Sequence, residues 1–350
     1  MIARGTLDEK FIRRAIVEAR KGLGFTSPNP AVGAVIVKGG RVLAVGHHRG
    51  AGKPHAEIEA IRALKSPALA HGATLYVTLE PCSTHGRTPP CTDAIFDHGF
   101  ARVVYGATDP NPAHAGRAAK LLRAAGIEVT SGVLAQECAA LNEAWNHWIV
   151  TRRPFVIAKC GMSLDGRISS HPESRWITSE ASRADAMRLR ASVDAILVGG
   201  GTVRADNPKL TLRDVEGRQP WRVVWTRSGK LPTDCHLLTD RFRDRTLVFE
   251  KESLEATLAA LGAMDVTSVL IEGGGATLGE AFDRHLVHRV VFYVAPQMLG
   301  GPIPAVGGRG AGSNEEGLRL ENPTYTRIGD DLRIEGSIET GGRGSRRAVA

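Results

Sequence analysis

The chain has 350 residues, 42% of them hydrophobic and 23% charged, with a formal net charge of +8. That balance is ordinary for a globular protein, and no apolar run reaches the roughly 18 residues of a membrane span. The amino-terminal MIARGTLDEKFIRRA lacks the apolar stretch and small-residue cleavage site of a secretion signal, so a cytoplasmic protein is expected.

The length favours two domains over one enlarged core. In the first half, Thr6 and Glu9 form a capping box ahead of a helix. Phe11, Ile12, Ala15, Ile16 and Ala19 follow its apolar stripe to Gly22. AVGAVIV (31–37) and RVLAV (41–45) flank Lys38-Gly39-Gly40, which predicts a hairpin. A helix over about 55–65, strand TLYVTL (74–79), a helix from Cys91 to Asp97 and strand ARVVYGA (101–107) follow. A helix near 115–125, strand IEVTSG and a helix over 134–148 complete an α/β unit. TRRPF (151–155) then opens a second series. Strands are expected at FVIAKC, DAILVGG, WRVVW, TLVFE, SVLIEGG and RVVFYVAP, with helices near 179–191, 252–262 and 276–284. The expected division is 1–150, 151–339 and a disordered basic tail over 340–350, rich in Gly, Arg and Ser.

Charge alone selects no partner. Arg343, Arg346 and Arg347 in that tail supply +3, and the remaining +5 suits anionic small molecules as well as nucleic acid. Aromatic residues at 5% argue against a stacking platform for single strands. The five cysteines, at 82, 91, 138, 160 and 235, are odd in number and scattered, which points to a reducing compartment without a disulfide framework.

Cys82 and Cys91 are therefore available for other chemistry. With His55 they offer zinc three ligands of the types it favours, leaving one position for water. Glu57 need not be a ligand; it would take a proton from that water and return it to the departing nitrogen. Residues two apart in a regular helix diverge by roughly 200°, so His55 and Glu57 converge only if His55 precedes the first regular turn. Pro54 suits that start. Cys91 follows Pro89-Pro90 and should open the next helix, whose dipole favours a thiolate there. The spacer of eight residues between the cysteines departs from the short P-C-x-x-C spacing of generic nucleoside deaminases.

SPNPAVGAVIV (27–37), His48 before GAGKPHAE, and EPCSTHGRTPPC together resemble the deaminase half of a bifunctional riboflavin-biosynthesis family. In that family, diaminohydroxyphosphoribosylaminopyrimidine deaminase is fused to 5-amino-6-(5-phosphoribosylamino)uracil reductase. The resemblance continues through AKCGMSLDGRI (158–168), SRWITS (174–179), GGTVRADNPKLTLR (200–213) and IEGGGATL (271–278), nearly the whole chain. It implies an α/β protein with an N-terminal three-layer domain of the cytidine-deaminase type and a C-terminal domain like dihydrofolate reductase. The implied chemistry is hydrolytic deamination of 2,5-diamino-6-(5-phosphoribosylamino)pyrimidin-4(3H)-one, then NADPH reduction of its ribose to ribityl. Zn2+ and NADPH are the implied cofactors, a phosphoribosylated pyrimidine the partner, and a homo-oligomer (dimer or tetramer) without nucleic acid or membrane the expected assembly.

By the same resemblance His55, Cys82 and Cys91 hold zinc and Glu57 is catalytic. Asn29, His48 and Arg87 fall at substrate positions of the first site, and Ser174, Arg190, Leu210, Arg213 and Glu272 at those of the second. Met162, Trp176, Thr202, Asp206, Gly274 and Gly275 fall at cofactor positions. The glycine turns in DAILVGGGT (194–202) and VLIEGGGAT (269–277) suit phosphate, and neither is the Rossmann G-x-G-x-x-G. Lys159 and Asp165 either orient the ribose or relay a proton, with a structural role for Asp165 equally open.

Two departures stand out. Thr84 occupies a position where relatives commonly carry histidine, so His85 covers that task or a substrate contact is absent. Thr226-Arg227 replaces a common Asp-Ser, and Arg227 is a candidate for the 2′-phosphate of NADPH. These leave two competing readings: a deaminase with a non-catalytic C-terminal half, and, from the basic balance, an RNA-editing deaminase.

Overall fold

The computed structural model describes residues 4–84, 89–168 and 176–339. They form two compact units, divided between Arg152 and Arg153. None of their helices is long and apolar enough to cross a membrane.

The first unit runs α1 (Arg4–Arg20), β1 (Gly33–Lys38), β2 (Arg41–His47), α2 (Ala56–Arg62), β3 (Thr74–Leu79), α3 (Cys91–Asp97), β4 (Arg102–Ala107), α4 (Arg117–Ala124), β5 (Glu128–Ser131), α5 (Ala135–Ala140) and α6 (Glu143–Thr151). The sheet order is β2-β1-β3-β4-β5, antiparallel among the first three strands and parallel from β3 to β5. The β1–β2 turn has positive φ at Gly39 (58°) and Gly40 (76°), the geometry two-residue hairpins require. Strand alternation sends Ala34 and Ile36 to one face, where they pack with Ala56, Ala60 and Ile95. Val35 and Val37 go to the other, with Ile12, Ala15, Ile16 and Trp148. Helices thus cover both faces, giving three layers.

Two local expectations change. Thr6 lies inside α1, because the helix already includes Arg4 and Gly5. The helix expected over 134–148 breaks into α5 and α6 around Leu141 and Asn142. Asn142 is the reason: its buried amide accepts from Ala31 N at 2.7 Å and donates to Ala31 O at 2.9 Å, pinning the segment before β1. Finally, the predicted tail over 340–350 lies outside the described residues.

The second unit runs β6 (Phe155–Ser163), α7 (Glu180–Ala191), β7 (Ala195–Gly199), α8 (Gly200–Asp206), β8 (Trp221–Thr226), α9 (His236–Thr239), β9 (Thr246–Glu250), α10 (Leu254–Ala263), β10 (Ser268–Ile271), α11 (Gly275–Asp283), β11 (Arg289–Ala295), β12 (Leu320–Ile328) and β13 (Asp331–Ile338). Its sheet order is β12-β13-β11-β6-β10-β7-β8-β9. The strands from β11 to β9 are parallel; β12 and β13 add an antiparallel hairpin at one edge. That hairpin is not evident from sequence: β12 contains Pro323 and is exposed along most of its length, so it lacks the apolar run of a buried strand.

Arg102 on β4 is almost completely buried and grips Asp8 of α1 with two hydrogen bonds of 2.8 Å, while the Tyr76 hydroxyl donates to the same carboxylate at 3.0 Å. Removing Asp8 would leave the buried Arg102 guanidinium with only Glu128 (3.0 Å) and Thr130 (2.8 Å) as partners. Asp8→Ala should therefore lower the stability of the first unit by about 3 kcal/mol, read as a lower thermal midpoint. A change within about 0.5 kcal/mol, the usual range of surface substitutions, would show that the pair is not the link between α1 and the sheet.

Candidate active sites

In the first unit the chemistry gathers at the ends of β3 and β4. His55 is the residue immediately before α2, with extended backbone (φ −70°, ψ 164°), so it stands outside the regular turn that carries Glu57. Cys82 follows β3, and Cys91 is the first residue of α3, after Pro90. The ligating atoms of His55, Cys82 and Cys91 lie within 4.8 Å of one another. His55 Nδ1 is 3.2 Å from Cys91 Sγ and 3.5 Å from Cys82 Sγ, and the Cys91 backbone NH donates to Cys82 Sγ at 3.2 Å. One nitrogen and two sulfurs facing a common point fit the donor preference of zinc, so the residues present suit that ion.

Hydrogen bonding from Cys91 and His55 holds the Cys82 sulfur well below the usual thiol range, while the neighbouring Cys82 and burial push Cys91 up. The hydrogen bond to Cys82 raises His55 to about 9. Glu57 is 3% exposed, and burial raises its carboxyl against the pull of His55.

Asn29 and His48 meet beside this centre. His48 is 3% exposed. Its Nδ1 is 2.9 Å from Pro54 O, a carbonyl that can only accept, so Nδ1 carries the hydrogen and Nε2 accepts from Asn29 Nδ2 at 3.1 Å. Both ring nitrogens are thus used within the protein. Burial also lowers the His48 pKa, consistent with a neutral ring. Arg87 and His85 lie outside the described residues.

In the second unit the two glycine turns meet. Gly274 N donates to Thr202 Oγ1 at 3.2 Å, joining the start of α11 to α8 at the carboxyl ends of the neighbouring strands β10 and β7. A Cβ at Gly201 would meet nothing within 4 Å, and at Gly274 nothing nearer than Thr202 Oγ1 at 3.5 Å. The backbone is therefore open to close approach at both turns, as a phosphate-bearing cofactor requires. Gly275 has a different reason to be glycine: a Cβ there would lie 2.2 Å from Pro304 O. Met162 packs against the core beside this region, Asp206 ends α8, and Trp176 is exposed with the Arg183 guanidinium 4.8 Å above its ring.

Arg190 and Glu272 form a bidentate pair at 2.7 Å and 2.7 Å, with Arg190 Nη1 also donating to Thr211 O at 3.3 Å. Lys159 Nζ lies 3.9 Å from the same carboxylate. Burial would raise the Glu272 pKa, but Arg190 and Lys159 outweigh it and hold it at about 2. The Arg190 guanidinium, at an expected substrate position, is thus already engaged by a carboxylate. Leu210 is buried with φ 51°, Arg213 is exposed, and Ser174 lies outside the described residues.

Asp165 accepts from the backbone NH groups of Leu299 (3.1 Å) and Gly300 (2.7 Å), a structural clamp that accounts for its carboxylate. Arg227 donates to Glu280 at 2.7 Å and packs over the Trp225 ring. Sequence reasoning passed over a further group at the first site. Glu80, just ahead of Cys82, is buried and accepts from the NH groups of Asp109, Gly116 and Ala118. The D-P-N-P run that follows β4 was the available signal for the loop it holds.

Two family models match the chain. One describes the cytidine and deoxycytidylate deaminase zinc-binding region and covers residues 6–107; the other, the RibD C-terminal domain, covers 154–334. A riboflavin biosynthesis protein RibD of Actinobacillus pleuropneumoniae is 39% identical over 357 aligned positions, spanning 94% of each chain. The chain belongs to the RibD family. Among solved structures, RibD of Acinetobacter baumannii superposes with a TM-score of 0.89 at 34% identity, covering 96% of this chain and 100% of that one. A Thermotoga maritima diaminohydroxyphosphoribosylaminopyrimidine deaminase/5-amino-6-(5-phosphoribosylamino)uracil reductase gives 0.86 at 36% identity, with the same coverages. These RibD likenesses bear out the expected α/β fold class, a deaminase-type three-layer domain followed by a reductase domain.

Zinc is held by thiolate sulfurs and a neutral imidazole nitrogen, so its binding to His55, Cys82 and Cys91 would release the protons those groups carry. Calorimetric titration of zinc into chelator-treated protein, in buffers of different ionisation enthalpy, should report net proton release. Heat independent of the buffer would contradict the arrangement.

Proposed function

We propose that the first unit deaminates and the second reduces a phosphoribosylated aminopyrimidine, with the residue roles given below. The reaction pair itself is that of RibD enzymes: hydrolytic removal of an exocyclic amine, then reduction of the ribosyl group to ribityl, in riboflavin biosynthesis. The observation that carries the deaminase roles is the convergence of His55 Nδ1 and two sulfurs next to a buried carboxylate.

His55, Cys82 and Cys91 would hold zinc, which supplies a Lewis-acid charge that makes water a competent nucleophile near neutral pH. Glu57 accepts a proton from the attacking water and passes it to the departing nitrogen, so ammonia leaves as the new carbonyl forms. Its burial between α2 and the cysteines keeps bulk water from competing for that proton. Asn29, with its Nδ2 turned to His48, presents its amide oxygen on the opposite side as an acceptor for the base. His48 acts through Asn29: its fixed tautomer holds the amide in one orientation.

In the second unit, NADPH would supply the hydride to C1′ of the sugar, with Thr202, Asp206, Gly274 and Gly275 lining its phosphates and ribose and Met162 and Trp176 its ring. Lys159, Arg190 and Glu272 form one part-buried array of charge at the end of β10. We assign Glu272 to sugar hydroxyls through the lone pairs left over from Arg190, and Arg213, which is exposed, to the substrate phosphate.

A non-catalytic C-terminal half is not favoured, because the RibD C-terminal domain matches residues 154–334. An RNA-editing deaminase is not favoured either, since the RibD likeness covers nearly the whole chain.

Glu57→Gln keeps the three ligands and loses the proton carrier. It should retain zinc by metal analysis while deamination falls by at least about 100-fold; turnover near the parent's would remove Glu57 from this role. Cys82→Ser should lose zinc and deamination together, yet still oxidise NADPH when given the deaminated intermediate. If folded Cys82→Ser protein fails in both half-reactions, the assignment of one reaction to each unit is wrong.

A further inference from the structure

Glu80 sits between the end of β3 and the ligand Cys82, and its carboxylate is buried. Its Oε2 accepts from Gly116 N at 2.9 Å and Asp109 N at 3.4 Å, and its Oε1 from Ala118 N at 3.1 Å. The two ends of the loop from β4 to α4 are thereby tied to the strand that delivers Cys82. Within the loop, Asp109 Oδ1 accepts from Asn111 N at 2.8 Å, Asn111 Oδ1 accepts from Ala113 N at 3.1 Å, and Asn111 O accepts from His114 N at 2.9 Å. A loop braced at both ends and within itself has one defined path.

That path ends with the His114 imidazole against Thr84. Thr84 Oγ1 lies 3.3 Å from His114 Nδ1 and 3.5 Å from Nε2, a geometry that permits one real hydrogen bond and leaves the second ring nitrogen for another partner. Thr84 is two residues beyond Cys82, within about 7 Å along the chain. An aminopyrimidine whose amine-bearing carbon faces the His55–Cys82–Cys91 centre extends at least that far. His114 is only partly buried, beside the residue two positions beyond Cys82.

We propose that His114 is a substrate-binding residue of the deaminase site, donating a hydrogen bond to an oxygen of the phosphoribosylated aminopyrimidine from the loop that Glu80 holds. Thr84 orients the ring, so a threonine and a histidine from separate loops together supply one imidazole contact. The inference rests on the deaminase reading above.

The test compares deamination by the parent and by His114→Ala, both as the full zinc-loaded chain. His114→Ala should raise KM for the aminopyrimidine about tenfold, the scale of one lost hydrogen bond, with kcat within about threefold, as for an interaction made equally in ground and transition states. Zinc content and reduction of the supplied intermediate should match the parent. Thr84→His placed on His114→Ala should recover most of the lost KM by returning an imidazole to the same spot. A KM within about twofold of the parent's in His114→Ala, or no recovery in the double variant, would overturn the proposal. Absence of deamination by the zinc-loaded parent would instead overturn the deaminase reading, before any variant is compared.

Discussion

The first unit depends on the contact between α2 and the backbone of β2. A Cβ at Gly46 would sit 2.3 Å from Ala60 N and 2.5 Å from Ala56 O, so the helix rests directly on the strand with no side chain between them. On the opposite face Gly33 gives α1 the same approach, with a Cβ there 2.0 Å from Ala15 O. At such separations a helix can neither roll nor slide without steric overlap, since close-packed interiors resist even a methyl-sized intrusion. The first turn of α2 is therefore fixed, and with it the extended residue before it and the carboxylate that turn carries. Placing His55 and Glu57 is thus a packing problem solved at Gly46, on the strand that precedes them.

Both units put their chemistry at the carboxyl ends of parallel strands. In the first, Cys82 follows β3 and the Asp109 loop follows β4; in the second, the glycine turns follow β7 and β10. Open α/β sheets favour this edge because loops leaving adjacent parallel strands there can converge from both sides on one crevice. The two edges are furnished differently. The deaminase edge uses a compact, metal-suited trio surrounded by buried hydrogen bonds, which holds a small reacting group. The reductase edge combines backbone left bare at Gly201 and Gly274 with the Lys159, Arg190 and Glu272 charges, which suits an extended, phosphate-bearing ligand.

Much of this was legible in the sequence because local chemistry determined it. Pro54 before His55 and Pro90 before Cys91 marked helix starts, and the stripe Phe11, Ile12, Ala15, Ile16 and Ala19 marked a buried helix face. What escaped depends on partners distant in sequence. Asn142 breaks a helix only because Ala31 lies against it, and α8 and the β12–β13 hairpin carry too little apolar periodicity to announce themselves. Arg190 illustrates the same limit in function: its residue type suits phosphate, and only the fold reveals that Glu272 already occupies its fork.

The two departures from the family pattern resolve in opposite ways for the same reason. Arg227 finds partners within the protein: Glu280, which also pairs with Arg284, accepts from it, and the Trp225 ring lies against its guanidinium. Thr226 beside it fills the space over Gly200, where a Cβ would come within 2.6 Å of the threonine hydroxyl; its role is to shape the turn. Thr84, by contrast, is short and neutral and cannot occupy the volume of an imidazole. Its hydroxyl instead reaches a ring brought by another loop. A charged substitution that finds a partner inside the protein is absorbed, whereas a truncated one beside a ligand site leaves room that a neighbour with the right chemistry can fill.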